Sequence, residues 1–203
     1  MSMAMKHIDY KNYSDKELIT FISNKENAAF VEIMSRYKER IINFLYRYVG
    51  DYDDAYDLSQ EVFVKVYLNV SQFNAEHKFA TWLFAIAANL ARDFLKKNSK
   101  QTITSLENFE EAGDYNLTEL IDSADSPEVK YDKNYVSLQV QKALNSLQPH
   151  YREVLILKEI QQYTFDEVAE ILSIEVGTVK SRVFRGKALL KEKLKNLIID
   201  LDK

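Results

Sequence analysis

Apolar residues recur with the 3.6-residue period of a helix along most of the first hundred residues. In the stretch 27–48 the apolar residues that share one face are Phe30, Val31, Met34, Ile41, Ile42, Leu45 and Tyr48. Gly50 follows directly and suits the left-handed cap of a helix C-terminus. Upstream, Ser14 and Glu17 have the spacing of a capping box, which predicts a short helix that starts there.

Two further helices are predicted in the first hundred residues. Three closely spaced acids, Asp51, Asp53 and Asp54, open a helix that extends to about position 70, and their charge complements the positive end of its dipole. Thr81 is the predicted cap of a helix over 82–97. Four helices with short connections and no strand pattern predict a four-helix bundle, which we assign to a domain at 1–97.

The helical period is lost over 98–132, a stretch that we interpret as a flexible acidic linker. Its Pro127 stands among Ser and Asp residues, and residues 101–146 hold nine Asp/Glu against three Lys/Arg. The period returns near Tyr135, Pro149 interrupts it, and a further helix is predicted over 151–160. Residues 133–203 are therefore the second predicted domain.

The second domain contains the pattern of a helix-turn-helix. Thr164 and Glu167 have capping-box spacing and open a short apolar helix, after which residues 173–175 form a three-residue turn. A longer basic helix starts at Val176. The apolar residues of this pattern that face inward are Val168, Ala169, Ile171, Leu172, Val179, Val183 and Leu190, and Ile174 fills the corner.

Composition supports an all-α fold and restricts the chemistry. The chain has 203 residues but only four Gly and two Pro, fewer turn residues than a sheet with tight hairpins needs. It has no Cys, hence no disulfide and no thiolate metal site. We find no signal peptide and no apolar run of membrane-spanning length, so we expect a cytoplasmic protein without membrane insertion.

Positive charge is concentrated on the helix that follows the turn, although the whole chain carries a net charge of −4. Its outward side chains combine a hydroxyl, a ring and cations that can contact bases and phosphates in a major groove. The candidate DNA-contacting residues are Thr178, Lys180, Ser181, Arg182, Phe184, Arg185 and Lys187. The alternative is a solvated charged face, but the preceding capped helix and turn favour DNA.

A second candidate site lies near the fourth helix and its preceding loop. Aromatic rings can stack on unpaired bases while cations follow the backbone of a single strand. The residues in this pattern are Phe73, Asn74, Lys78, Trp82, Asn89, Arg92 and Lys96. The alternative is that the rings of Phe73, Phe79 and Trp82 fill the bundle core.

The third helix carries apolar side chains on its polar side, ringed by acids. Exposed apolar residues in this setting are typical of a protein-binding surface. The candidate residues are Asp54, Asp57, Gln60, Glu61, Val64 and Leu68.

Several stretches resemble bacterial RNA polymerase sigma factors. Residues 54–63 (DAYDLSQEVF) and 79–89 (FATWLFAIAAN) resemble their region 2, and residues 147–155 (LQPHYREVL) and 176–182 (VGTVKSR) resemble their region 4. The presence of only these two regions is typical of the extracytoplasmic-function (ECF) group. Positions 162 and 173 often hold Gly in the family, and position 175 often holds Pro; here they hold Gln162, Ser173 and Glu175.

The resemblance implies a function in promoter recognition and partners for each surface. Asp57, Gln60 and Glu61 would bind the clamp helices of the polymerase β′ subunit, and the flap of the β subunit is a further expected contact. The 71–78 loop with Trp82 and Asn89 would hold unpaired bases of the −10 element. Lys180, Ser181, Phe184 and Arg185 would contact the −35 element. The linker would enter the RNA channel of the polymerase, and an anti-sigma factor is an expected partner.

Two other classes of protein fit the sequence less well. A helix-turn-helix regulator that acts without polymerase would not need the single-strand site on the fourth helix. An enzyme is disfavoured because the three His residues are far apart in sequence and no nucleophile motif or Gly-rich phosphate loop is present. We therefore expect no catalytic residues, metal or cofactor.

Overall fold

The structure, a computed structural model, describes residues 9–104 and 127–199, and the side chains within 9–98 and 135–195. All the regular elements in these ranges are helical, which confirms the predicted fold class. The α-helices are α1 (Asp15–Ser23), α2 (Asn27–Val49), α3 (Tyr52–Asn69), α4 (Phe79–Thr104), α5 (Pro127–Asn145), α6 (Pro149–Leu155), α7 (Phe165–Leu172) and α8 (Val176–Ile199). Short 3₁₀ turns lie at Tyr10–Asn12 and Val70–Gln72, and a π-helical turn at Ile156–Ile160 extends α6.

Helix ends follow the capping chemistry that the sequence contains. The Ser14 hydroxyl accepts from the backbone N–H of Glu17, and the Glu17 carboxylate accepts from the backbone N–H of Ser14. Thr164 and Glu167 form the same reciprocal pair at the start of α7. Gly50 ends α2 with a φ of 94°, a conformation that costs a glycine little because it has no Cβ. These three predictions are confirmed.

The predicted cap of the fourth helix is wrong. α4 begins at Phe79, and the backbone N–H of Trp82 donates to the carbonyl of Lys78 at 3.2 Å. Thr81 therefore lies inside the first turn, where it is buried and its hydroxyl finds no partner among the described residues. The helix starts earlier because Phe79 enters the core, and its apolar burial outweighs the preference of Thr for a cap.

Two helices extend into the range that we predicted as linker. α4 continues to Thr104 and α5 begins at Pro127. A proline in the first turn costs no hydrogen bond, because the N–H that it lacks would have no partner within the helix. Pro149 occupies the same kind of position in α6, which therefore starts earlier than predicted. Residues 105–126 lie outside the described residues, and the domain boundaries stay predictions.

Helices α1 to α4 enclose the N-terminal core. Its largest fully buried side chains include Phe44, Phe63 and Phe84. Val31 was predicted on the inner face of α2 but is 64% exposed, because Ala29 and Ile33 occupy the inward positions of that turn. Val31 is thus an exposed apolar residue beside a well-packed core.

The C-terminal domain packs α6, α7 and α8 closely together. Val179 and Val183 are buried as predicted, and Ile174 packs at the corner between α7 and α8. Gly186 is buried where α8 crosses α6. A Cβ at this position would lie 3.1 Å from Cδ1 of Leu155, so the absence of a side chain permits the close approach.

The cores of the two predicted domains form one continuous cluster. The ring of Tyr163 meets that of Phe84 edge-on, with 5.2 Å between centroids. The Arg152 guanidinium donates to the carbonyls of Tyr48 and Asn145, both at 2.6 Å, and so satisfies the ends of α2 and α5. The two domains are therefore in direct contact through both apolar and polar groups.

Candidate nucleic-acid interface

The outer face of α3 exposes apolar side chains within a ring of polar ones. Val64 is 56% exposed and Leu68 is 69% exposed. Asp57, Gln60 and Glu61 are exposed beside them, one to two turns towards the helix N-terminus. This arrangement matches the predicted protein-binding surface, which consists of an apolar centre and a polar rim.

Negative charge is concentrated at the start of the same helix. Asp54 is half-buried, and burial, followed by the neighbouring carboxylates of Asp51, Asp57 and Asp53, raises its pKa above the ordinary value. Like charges raise a carboxyl pKa because each ionised neighbour opposes the next ionisation. The field at this end of α3 therefore favours a basic partner surface.

The loop before α4 is organised by Asn74. Its side-chain Oδ1 accepts from the backbone N–H of Glu76 at 3.0 Å, and its carbonyl accepts from the N–H of His77 at 3.1 Å. The Asn74 side chain therefore stabilises the conformation of the loop, in addition to lying beside the candidate site. Lys78 ends the loop and is exposed.

A groove of about 260 Å³ lies between this loop and α4. It is lined by Gln72, Phe73, Asn74, His77, Thr81, Trp82, Ala85 and, from α7, Glu170. Thr81 is among the lining residues, but its hydroxyl is buried and has no partner within the described structure. A concave site with an aromatic wall and a few polar groups has the composition needed to hold an unpaired base.

Three aromatic rings cluster beside the groove, and two of them, Phe73 and Trp82, line it. The centroids of Phe73, Phe79 and Trp82 are separated by 5.4 to 5.9 Å. Phe79 is buried, as the core alternative supposed, whereas Phe73 and Trp82 are only half-buried and border the groove. Only these two rings have a surface available for stacking.

The stripe along α4 continues from the groove through Asn89, Arg92 and Lys96. Asn89 and Lys96 are exposed, and Arg92 is half-buried. Oδ1 of Asn89 accepts from Nη1 of Arg92 at 3.0 Å, so the amide orients the guanidinium. The predicted stripe is therefore present on one side of α4, with Arg92 held in place.

The outer face of α8 carries most of the predicted DNA-contacting residues. The exposed ones are Lys180, Ser181, Phe184, Arg185 and Lys187, while Thr178 and Arg182 are half-buried. Phe184 is 78% exposed, which is unusual for so large an apolar ring and is not explained by packing within the chain. A solvated charged face would not need this ring.

Among these residues, Ser181 and Lys187 have polar contacts at the surface of the domain. The Ser181 hydroxyl donates to the carbonyl of Thr178 at 2.9 Å, and Nζ of Lys187 lies 3.0 Å from a carboxylate oxygen of Glu159. Both contacts are at the surface, where such interactions contribute little to stability.

The turn between α7 and α8 keeps its geometry without glycine. Ser173 adopts a left-handed conformation, with φ 53° and ψ 48°, and the N–H of Ile174 donates to the carbonyl of Ala169 at 3.0 Å. Gln162, the other position where the family often has glycine, has a φ of 61°. The departures from the family pattern therefore leave the turn intact but place side chains in a costly region of backbone space.

A buried carboxylate connects the two candidate DNA sites. Oε2 of Glu153, on α6, accepts from Nε of Arg92 at 2.8 Å and from the Tyr48 hydroxyl at 3.2 Å. Oε1 of the same carboxylate lies 3.6 Å from Nη1 of Arg182 on α8. One cation from each predicted DNA surface therefore shares Glu153.

Two more carboxylates, both on α7, contact the loop before α4. Oε1 of Glu170 lies 2.7 Å from Nδ1 of His77, and Nζ of Lys78 donates to Oε1 of Glu167 at 2.7 Å. The contact with Lys78, followed by the hydrogen bonds from Thr164, lowers the pKa of Glu167 to about 2. Lys78 is 75% exposed, so water screens this pair and its contribution to stability is small.

Sequence reasoning did not select Thr81, Glu153 or Glu170 as site residues. Arg92 and Glu153 are 61 residues apart, and His77 and Glu170 are 93 residues apart, so no local pattern could pair them. One signal was available, because Glu153 directly precedes the apolar run 154–157. A carboxylate at a core-facing position requires a partner, and cations elsewhere in the chain were candidates.

Within the described part of the chain, no three His, Asp or Glu residues come together as a metal site. None of the described helices combines the length and the apolar character needed to cross a membrane.

Two segments of the chain match known protein families. Residues 33–101 match the family described as Sigma-70 region 2, and residues 137–190 match Sigma-70, region 4. The two segments contain the candidate −10 stripe and the helix-turn-helix respectively.

Whole-chain relatives have the same arrangement. The ECF RNA polymerase sigma factor SigW of Bacillus subtilis is 32% identical over 182 residues, covering 90% of this chain and 97% of that protein. The ECF RNA polymerase sigma-E factor of Haemophilus influenzae is 28% identical over 185 residues, covering 91% and 97%. Among solved structures, the sigma factor RpoE from Bartonella quintana, in complex with the anti-sigma factor NepR, has a TM-score of 0.66 at 25% identity, covering 82% of this chain and 96% of that one.

Proposed function

Because this chain belongs to the ECF group of RNA polymerase sigma factors, a group that acts in promoter-directed initiation of transcription, we propose specific roles for its three candidate surfaces. The α3 face binds core polymerase, the groove and stripe of α4 hold the unpaired −10 strand, and the outer face of α8 contacts the −35 element. The observation that supports this division most strongly is the exposure of Val64 and Leu68 on α3 and of Phe184 on α8, where folding alone gives no reason for it.

The polymerase contact is proposed for the apolar centre formed by Val64 and Leu68. These side chains are exposed, and acids surround them on the N-terminal side of the helix. A partner that buries the two apolar groups and brings cations to the rim would gain both hydrophobic and electrostatic free energy. The clamp helices of the β′ subunit are the proposed partner of this face, and the β flap is the proposed partner of the C-terminal domain.

Capture of the −10 strand is proposed for the groove beside Trp82. A flipped base can stack on the half-buried rings of Phe73 and Trp82, which both line the groove. Beyond the groove, Asn89 and Arg92 lie further along α4, and their linked side chains could contact the continuing strand. Binding of unpaired bases stabilises the open duplex, so no chemical step by this chain is needed.

Recognition of the −35 element is proposed for α8. Arg185 is exposed in the middle of the basic face and can donate two hydrogen bonds to one guanine, whereas Phe184 can contact a thymine methyl group. Lys180 and Lys187 would hold phosphates on either side. These contacts require the N-terminal half of α8 to enter the major groove, as the second helix of a helix-turn-helix does.

The chain is further proposed to act in the cytoplasm, without cofactor, catalytic residue or metal, and to be inhibited by an anti-sigma factor. The last point is supported by the structure of the Bartonella quintana relative, which is a complex of that sigma factor with its anti-sigma factor.

The test of the proposal is co-purification with core polymerase followed by footprinting on promoter DNA. We expect a stoichiometric complex that protects both elements and opens the DNA near −10. A helix-turn-helix regulator would bind duplex DNA alone, would not co-purify with core polymerase and would not open the duplex.

A further inference from the structure

The two predicted DNA surfaces share one buried carboxylate. Glu153 is 4% exposed and contacts Arg92 of the −10 stripe at 2.8 Å and Arg182 of the −35 helix at 3.6 Å. A buried carboxylate needs such partners, because its charge is costly to remove from water. While these contacts persist, the Glu153 carboxylate offsets the positive charge that each cation would offer to a phosphate.

Carboxylates of α7 also border the groove beside Trp82 and its loop. Glu170 lines the groove and lies 2.7 Å from His77, and Glu167 accepts from Lys78 at the same distance. A carboxylate and a phosphate make the same charge-assisted hydrogen bonds to cationic groups. The acids of α7 therefore pair with side chains that could otherwise bind the phosphates of a strand.

The closed arrangement is too compact for a promoter. Elements at −10 and −35 are about 25 base pairs apart, or roughly 85 Å along B-form DNA at about 3.4 Å per pair. Arg92 and Arg182, by contrast, both lie within 4.0 Å of the same carboxylate. The two domains must separate before both elements can be bound.

We propose that the free chain is held closed by an intramolecular clasp that consists of Glu153 with Arg92 and Arg182, Glu167 with Lys78, and Glu170 with His77. The inference rests on the proposed positions of the DNA sites. DNA that binds at either surface competes with the clasp carboxylates, opens the chain and thereby exposes the other surface. Binding at the two promoter elements is consequently coupled, and the coupling acts equally in both directions.

The composition of the clasp makes it reversible. The pairs formed by Glu167 and Glu170 are at the surface, where each contributes little. The Glu153 carboxylate is buried, and opening would also separate Phe84 from Tyr163 and expose their edge-on contact. The free energy of binding core polymerase and DNA would have to offset the loss of this apolar contact. A single-charge substitution in the clasp is expected to shift the equilibrium between closed and open chain without unfolding either domain.

The chain permits a direct measurement of opening. Trp82 is its only tryptophan, and there is no native cysteine, so one acceptor dye attached through Glu175→Cys reports the distance between α4 and the turn before α8. The full-length labelled chain is compared with the same chain carrying Glu153→Gln or Glu170→Lys. Glu170 is exposed, so its replacement does not disturb a core if Glu153→Gln proves poorly folded.

We expect strong energy transfer from Trp82 in the free chain and weaker transfer in both variants. A random-sequence single-stranded 20-mer should lower the transfer in the unsubstituted chain. Both variants should bind that strand at least about fivefold more tightly, which is the lower end of the range typical of coupled sites. Glu192→Gln and Glu192→Lys are matched charge controls on the exposed far part of α8, and they should leave the transfer unchanged.

The proposal is overturned if the free chain already shows the weak transfer of the variants, or if the single strand binds without changing the transfer. A different result is expected if the clasp exists but the proposed −10 strand site does not. In that case the free chain shows strong transfer and both variants weaken it, but no single strand binds.

Discussion

Arg92 donates its Nε–H to Oε2 of Glu153 at 2.8 Å, across the boundary between the two sigma regions. The acceptor is buried and the donor belongs to the stripe proposed to hold the −10 strand. Replacement of Arg92 would therefore remove a DNA contact and a domain contact together, and its effect could not be assigned to either. The tests of DNA binding are better made at Asn89 and Arg185, whose side chains have no contact with Glu153.

Charge reversal on α3 should weaken polymerase binding. We predict that Asp57→Lys with Glu61→Lys lowers the affinity for core polymerase about tenfold or more, equivalent to about 1.4 kcal/mol, because cations on the rim would repel a basic partner. Both side chains are exposed, so the helix content should stay the same. A titration of labelled chain with core polymerase measures the effect.

The matched control for this pair is Asp93→Lys with Glu192→Lys. These two exposed acids lie on α4 and α8, and their replacement makes the same change in net charge. Equal losses of affinity in the two double variants would show that α3 is not the contact face.

Loss of the Asn89 amide should impair DNA opening more than DNA binding. Asn89→Ala removes an exposed group of the stripe and the acceptor that orients Arg92. We predict nearly normal closed complexes. The free energy of opening should become less favourable by roughly 0.5–1.5 kcal/mol, the net contribution of a hydrogen bond, so a smaller fraction of the complexes is open. Permanganate reactivity of unpaired thymines near −10 provides the measurement, and Asp93→Ala is the neighbouring control. Unchanged reactivity would make Asn89 a solvated amide.

Arg185 and Lys191 should differ in what they contribute at the −35 element. Arg185→Ala is predicted to cost about 1–3 kcal/mol and to relax discrimination at one base pair. Lys191→Ala should weaken binding to all sequences equally, and it should lower the salt dependence of binding by at most about one unit of slope. Binding to single-base variants at two salt concentrations separates these effects. A uniform loss for Arg185→Ala would assign base recognition to Lys180, Ser181 or Phe184.

The sequence predicted the elements well because their signals are local. The capping pair of Ser14 and Glu17 and the glycine at position 50 determine helix ends through neighbouring atoms, and the structure has them as predicted. Thr81 was misplaced because the burial of Phe79, a tertiary effect, outweighed a local preference. Glu153 could not be assigned for a related reason: its partners come from α2, α4 and α8, and only the packed chain brings them together.

Glycine at position 173 should stabilise the C-terminal domain. Ser173 has a φ of 53°, where a side chain costs roughly 1–2 kcal/mol that glycine avoids. We expect Ser173→Gly to raise the unfolding temperature by about 2–4 °C for each kcal/mol recovered. Ser35→Gly is the control, since Ser35 is exposed within the right-handed helix α2 and its replacement should lower the temperature. A decrease in both variants would contradict the left-handed turn.

The titration of Glu167 tests the contact between α7 and the loop before α4. Its pKa is lowered to about 2, first by Lys78, so the ionised form stabilises the fold above the ordinary value of 4.5 and the contribution is lost as the pH falls from 4.5 towards 2. Lys78→Met should raise this pKa part of the way to 4.5, because the hydrogen bonds from Thr164 remain. Carboxyl NMR measures it, and an unchanged pKa would mean that Lys78 does not reach Glu167 in solution.

The most direct test is whether this chain directs core polymerase to specific promoters. Core polymerase transcribes a library of genomic fragments with and without the chain, and every start site is sequenced. With the chain added, we predict a limited set of start sites preceded by one shared sequence at −10 and another at −35, and the loss of that set when Asp57→Lys and Glu61→Lys are combined. Start sites identical to those of core polymerase alone would contradict a function in promoter recognition.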